Sequence, residues 1–362
     1  MQRIQTLDGL RFLAVIGVLW IHTWTLFGNP RCFVGPIDIA GLLAIGGNGV
    51  DLFFVISGFC MYYFYASKSE FSFKDFKRFI IKRWVRLSPA FYAATLVYLM
   101  IEIFILHNHP AVFLEIANSI LYLNSIFQHY NVAGHFWSLG VEWQFYLIIP
   151  FILIYQNRIG FIKIFLIIFF ILFFAAVLSV SFLKGQSDLL TDQILFRYVE
   201  FAAGIVAARV LIKNDISLKR RWLWLILFIV VSYAGRTFIS KPVLNLSPNY
   251  YNLFKLIGFG LMGAGFAGIL YLSLTSVKWL NAFLGNYIFK QVGRVSYSFY
   301  LWHGMMCPIT TYYVTKYLPD LRGISGPMIA TFISLIVLYP ISILSYNLLE
   351  KPFLSIGNLT AK

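Results

Sequence analysis

Apolar stretches long enough to cross a bilayer recur along this 362-residue chain near 9–28, 43–66, 89–107, 137–156, 164–184, 193–212, 222–238, 253–273, 294–315 and 326–348. A run of about 20 apolar residues spans the ~30 Å hydrocarbon layer as a helix, and in lipid the backbone must satisfy its own hydrogen bonds. The pattern predicts an all-α fold, a polytopic transmembrane helical bundle of ten spans. Composition agrees, since 60% of the residues are hydrophobic and only 12% charged, too apolar for a soluble domain of this size. With no internal repeat or low-complexity tract, residues 1–353 read as one membrane domain and 354–362 as a short cytoplasmic tail. The segment 111–127 reads as interfacial or re-entrant. The first apolar run lacks a small-residue cleavage site and is expected to stay as an anchor.

Ten spans return both termini to one side, and loop charge selects it. The loop 67–88 carries Lys68, Lys74, Lys77, Arg78, Lys82, Arg83 and Arg86, whereas 87–157 holds no Lys or Arg. Loops 157–163 and 213–221 are basic again, and 185–192 is not. The positive-inside rule then puts both termini in the cytoplasm. It also accounts for the net charge of +15 without invoking nucleic acid as a partner. Cys32, Cys60 and Cys307 have no metal-ligand spacing, so neither a disulfide framework nor a metal site is expected.

Against this apolar background the ionisable residues inside spans are informative, because each is costly in lipid unless partnered. Arg11 and His22 lie eleven residues apart on the first span, which places them on one helix face, roughly 16 Å apart along the axis. With that helix running outward, Arg11 sits near the cytoplasm and His22 in the outer half. Asp51, about eight residues inside the second span, and Glu142, about five inside the fourth, are expected near the level of His22. A carboxylate beside an imidazole fixes its tautomer and supports a general base. His22, Asp51 and Glu142 are therefore the candidate catalytic group. Ser138 and Ser296 are less suited to nucleophilic attack, since hydroxyls on membrane helices usually bond the backbone a turn away. Arg83 and Arg86, at i and i+3, read as the basic flank of a span or as two cations facing one phosphate. A transporter or flippase of a glycan or small anion, without transfer chemistry, would also keep charges inside its helices.

Six stretches in order resemble the acyltransferase 3 family of integral-membrane enzymes. They are LDGLRFLAVIGVLWIH (7–22), GVDLFFVISGF (49–59), the Arg83/Arg86 pair, FWSLGVEWQFYL (136–147), SYSFYLWH (296–303) and LEKPF (349–353). Trp143 departs from the pattern, where the family often has a second acidic residue after Glu142. The resemblance implies transfer of an acyl group, usually acetyl from acetyl-CoA, to a hydroxyl of a cell-surface or exported carbohydrate, with the histidine matching His22 essential. It further implies an acyl-CoA donor reaching Arg11, Arg83 and Arg86, and a carbohydrate or lipid-linked glycan acceptor. It implies no metal, and a place in the bacterial cytoplasmic membrane. Within the motifs, Ser138, Tyr146, Ser296, Tyr300 and His303 are candidates for substrate contact or for structure.

Overall fold

The computed structural model describes residues 4–35, 37–43, 47–66, 71–108, 111–182, 191–213, 219–240, 248–275, 277–321 and 323–354. The expected tail lies outside them apart from its first residue, as do Lys68 and most of the 185–192 loop. Each expected apolar window holds a helix. In chain order the helices are α1 Gln5–Leu26, α2 Ile39–Leu43, α3 Gly49–Tyr65, α4 Phe73–Phe104, α5 Val112–Ile120, α6 Trp137–Ile159 and α7 Phe161–Phe182. There follow α8 Ile194–Lys213, α9 Arg221–Ser240, α10 Pro248–Thr275, α11 Lys278–Leu284, α12 Tyr287–Arg294, α13 Ser296–Tyr317 and α14 Ser325–Ser345. The strands described are one two-residue pair, Phe33–Val34 with Ile37–Asp38.

Among the described residues, seven helices are long and apolar enough to cross a membrane. The windows that fall short of that measure are α3, with 17 residues, and α8 and α13, diluted by polar and charged residues such as Arg197, Glu200, Ser298 and His303. The polar side chains that dilute α8 and α13 face neighbouring helices, Arg197, Glu200, Ser298 and His303 all being buried. The outermost helix shows the converse. The apolar window of α7 has a mean hydropathy of 3.0 and is 11% buried, with Phe170, Ile171 and Phe174 exposed. So much uncovered apolar surface is the signature of a lipid-facing wall.

Helices α3 and α8 approach closely through two glycines. A Cβ on Gly58 would sit 2.2 Å from the Phe201 carbonyl oxygen, and one on Gly204 would sit 2.1 Å from that of Val55. In lipid, where apolar burial gives helices little reason to associate, such backbone contact is what holds them together.

Two boundaries differ from the sequence reading. The basic stretch 73–88 is not a loop but the opening turns of α4, which runs 32 residues or about 48 Å, longer than the hydrocarbon layer. A capping box starts it, the Ser72 hydroxyl accepting from the Asp75 amide while the Asp75 carboxylate accepts from the Ser72 amide. Its Lys and Arg residues are good helix formers with no glycine among them, and the helix carries on through Pro89 into the span. Helix α3 starts at Gly49, after a short turn at Gly47 and Asn48, so Asp51 lies in its first turn rather than eight residues inside. The 111–127 segment begins as α5, with Glu115, Asn118 and Ser119 buried, and continues in turns.

Candidate active site

The basic residues of α1 and α4 meet. Arg11, Arg83 and Arg86 all line one cavity that encloses about 800 Å³ of empty space, its open mouth included. Two glycines set α1 against its neighbours at this end, since a Cβ on Gly9 or Gly293 would come within 2.1 Å of the carbonyl oxygen of Leu284 or Asp8. The Arg11 guanidinium is fixed by the buried Asp8 carboxylate at 3.0 Å and reaches the Cys60 sulfur at 3.5 Å. Arg83 donates to the Tyr65 hydroxyl at 3.3 Å. A second cavity, of about 860 Å³, shares Arg11, Arg86, Ser296 and Tyr297 with the first and adds Arg294 and Glu350. Ile4 and Leu354 border it, so it opens at the end of the bundle where the two ends of the described chain lie. Together they form a cationic entry and chamber suited to an anionic ligand.

On the far wall stand the motif residues of α6 and α13. The Glu142 carboxylate accepts from the hydroxyls of Ser57 at 2.9 Å and Tyr146 at 2.5 Å. The hydroxyls of Tyr300 and Ser138 both reach the His135 carbonyl oxygen, at 2.8 Å and 3.2 Å, and lie 2.5 Å from each other, so one donates to the carbonyl and the other to its neighbour. Ser138, Ser296 and Tyr300 all line the cavity. Trp143 turns away from it and stacks on Tyr122, ring centroids 4.6 Å apart.

Behind Tyr300 the chemistry changes from guanidinium to imidazole. The Tyr300 ring centroid lies 5.1 Å from that of His303 and 5.4 Å from that of His135. His22 comes in from α1, 4.8 Å from His303, and is itself exposed. Arg11 thus serves the cavity and His22 the histidine cluster, and Tyr300 adjoins both the cavity and His303.

The expected meeting of His22 with Asp51 and Glu142 does not occur. Asp51 is buried against Arg197 of α8 at 3.0 Å, and the same guanidinium nitrogen lies 3.4 Å from Glu200. The Phe259 ring covers that guanidinium, its centroid at 4.0 Å. A buried carboxylate takes the cation at its own depth, and α8 supplies Arg197. Glu142 is likewise engaged on the cavity side. Removing one member of a buried ion pair costs about 3–5 kcal/mol, because the other is left uncompensated. Asp51→Ala is therefore expected to lower the thermal unfolding midpoint of the purified protein. Asp51→Ala combined with Arg197→Met and Glu200→Met removes all three buried charges and should regain much of it, and an Asp51→Ala variant as stable as the parent would contradict a structural role for the group.

Arg197, Glu200, His135 and Arg294 are the site residues that sequence reasoning missed. Arg197 and Glu200 carried a signal, two opposite charges at i and i+3 inside an apolar window. His135 and Arg294 border motifs and carried none beyond that.

The acyltransferase 3 family model, described as an acyltransferase domain, matches residues 4–347, nearly the whole chain. This chain belongs to the acyltransferase 3 family. Relatives include a chain named a putative O-acetyltransferase from Staphylococcus aureus strain COL, 25% identical over 98% of this chain and 58% of the relative. Another is the peptidoglycan O-acetyltransferase OatA of Listeria monocytogenes, 26% identical over 96% of this chain and 55% of the relative. The chain thus spans little more than half the length of these curated relatives. No solved structure matches it significantly. Within the family match fall every cavity arginine and all three clustered histidines.

Proposed function

We propose that the protein is a membrane O-acetyltransferase that moves an acetyl group from acetyl-CoA to a hydroxyl of a cell-envelope carbohydrate, with His22 as general base. The observation that carries this reading is that three arginines and Tyr300 line one cavity, and that the Tyr300 ring adjoins His303, which in turn adjoins the exposed His22. Family membership and O-acetyltransferase relatives support the reaction class. The name of the Listeria relative supports a cell-wall glycan as acceptor class.

By the loop charges the arginine cavity faces the cytoplasm, both termini lie there and the chain crosses ten times, α3, α8 and α13 being the short or polar inner spans. The diphosphate and 3′-phosphate of a coenzyme A thioester suit guanidinium partners, which bind phosphate oxygens in pairs. Arg11 and His22 are separated by about 16 Å of helix, a distance the flexible pantetheine arm spans. The acceptor hydroxyl gives its proton to His22 as its oxygen attacks the acetyl carbonyl carbon. The new C–O bond forms, the C–S bond breaks, and the departing thiolate takes up a proton. Aligning the acceptor hydroxyl with the thioester carbonyl favours transfer over reaction with water.

The test is to incubate purified protein with acetyl-CoA and a glycan acceptor and measure free thiol and acetylated glycan together. Equal amounts of both are expected. Binding and translocation of the glycan with no thiol released would favour the flippase reading.

A further inference from the structure

Reading His22 as the base raises the question of what orients it, since both candidate carboxylates are engaged elsewhere. Three imidazoles converge here. His303 lies between His22 and His135, with ring centroids 4.8 Å and 4.4 Å away. It is buried, and its Nδ1 sits 2.6 Å from the Tyr300 carbonyl oxygen. A carbonyl oxygen only accepts, so Nδ1 carries the proton and Nε2 of the neutral ring presents a lone pair. That Nε2 is buried without a partner in the protein. Leaving a buried polar atom unpaired costs on the order of 1–3 kcal/mol, so such an atom marks a missing interaction.

His135 cannot supply the donor. Its Nε2 lies 3.2 Å from the Leu301 carbonyl oxygen and gives its proton there, which makes Nδ1 of the neutral ring an acceptor as well. Its position is fixed by Gly304, where a Cβ would come within 2.6 Å of the His135 ring. Of the three rings only His22 has an N–H to give. Two imidazoles joined by an N–H···N bond of about 3 Å have centroids about 5 Å apart, so the His22–His303 separation of 4.8 Å leaves room for that bond, which needs the rings turned toward each other from their 55° tilt.

We propose that His303 is a positioning residue, whose Nε2 accepts the N–H of His22 and so holds His22 in the tautomer with its other nitrogen turned to the acceptor hydroxyl. The inference rests on the reading of His22 as the base. It assigns to a neutral ring the orienting role that the sequence reading gave to a carboxylate. When His22 takes up the proton, the shared hydrogen bond becomes charge-assisted and strengthens as the reaction proceeds.

The experiment compares His303→Gln and His303→Asn in the full chain, with His22→Ala alongside. A glutamine amide reaches the place of Nε2 and can accept there, whereas asparagine reaches only the place of Nδ1. The asparagine variant is expected to lose about 10²-fold or more in kcat with the KM for acetyl-CoA within twofold of the parent, approaching the loss of general-base assistance. The glutamine variant should recover at least about tenfold of that loss. Turnover at the parent level in His303→Asn, or equal losses in both variants, would overturn the proposal while a dead His22→Ala left the base assignment standing. A His22→Ala protein that keeps its turnover would remove the base assignment itself.

Discussion

Replacing His22 with alanine is expected to abolish detectable acetyl transfer while leaving acetyl-CoA binding and expression near the parent level. General-base assistance is worth roughly 10²–10⁴ in rate, and among the described residues the two candidate carboxylates, Asp51 and Glu142, are engaged with other partners. Its separation from Arg11 by eleven residues of α1 predicts that donor affinity survives, since the phosphates are assigned to the arginine cavity. His22→Gln keeps a hydrogen-bonding group but cannot accept the proton, so it should fail equally. A His22→Gln protein retaining most of its turnover would reduce the ring to a positioning element.

The second large effect is expected at Arg83 and Arg86. Both line the cavity with Arg11, so three guanidinium groups share one chamber. Their mutual repulsion is a standing cost that an anionic ligand relieves. Charge-assisted hydrogen bonds are worth about 1.5–3 kcal/mol each, so the Arg83→Ala, Arg86→Ala double variant should raise the apparent KM for acetyl-CoA by about 10²-fold or more, with a smaller change in kcat. The expected pattern is weaker binding by calorimetry for acetyl-CoA and for coenzyme A alike. Unchanged binding would return the pair to the role of a topology signal on α4.

How much of this was legible beforehand follows from where the information lies. The helices were legible because hydropathy is local: every expected window is helical, and lipid-facing α7 is the plainest of them. The basic stretch before the third window reads as a loop in the sequence because its charge masks its helicity. Only the Ser72 cap and the lack of Gly or Pro within 73–88 reveal α4 there, and the helix then runs on through Pro89. The three arginines were legible as candidates from their motifs, and their convergence on one chamber follows from the packing of α1 against its neighbours. The partners of each charge were not legible. Depth alone brought Asp51 toward His22, whereas the fold gives it Arg197, 146 positions away in sequence. The histidine cluster draws its members from residues 22, 135 and 303, and no local periodicity connects those.

Sealed vesicles holding this protein in one orientation provide the most direct measurement of the central claim that donor and acceptor meet from opposite faces. Acetyl-labelled coenzyme A is supplied on the face carrying the 73–86 segment of α4, and a glycan acceptor is enclosed on the other. Label is expected on the enclosed glycan, at a rate abolished by His22→Ala, with free thiol accumulating only on the donor face. Labelling only when donor and acceptor share one face would contradict the account.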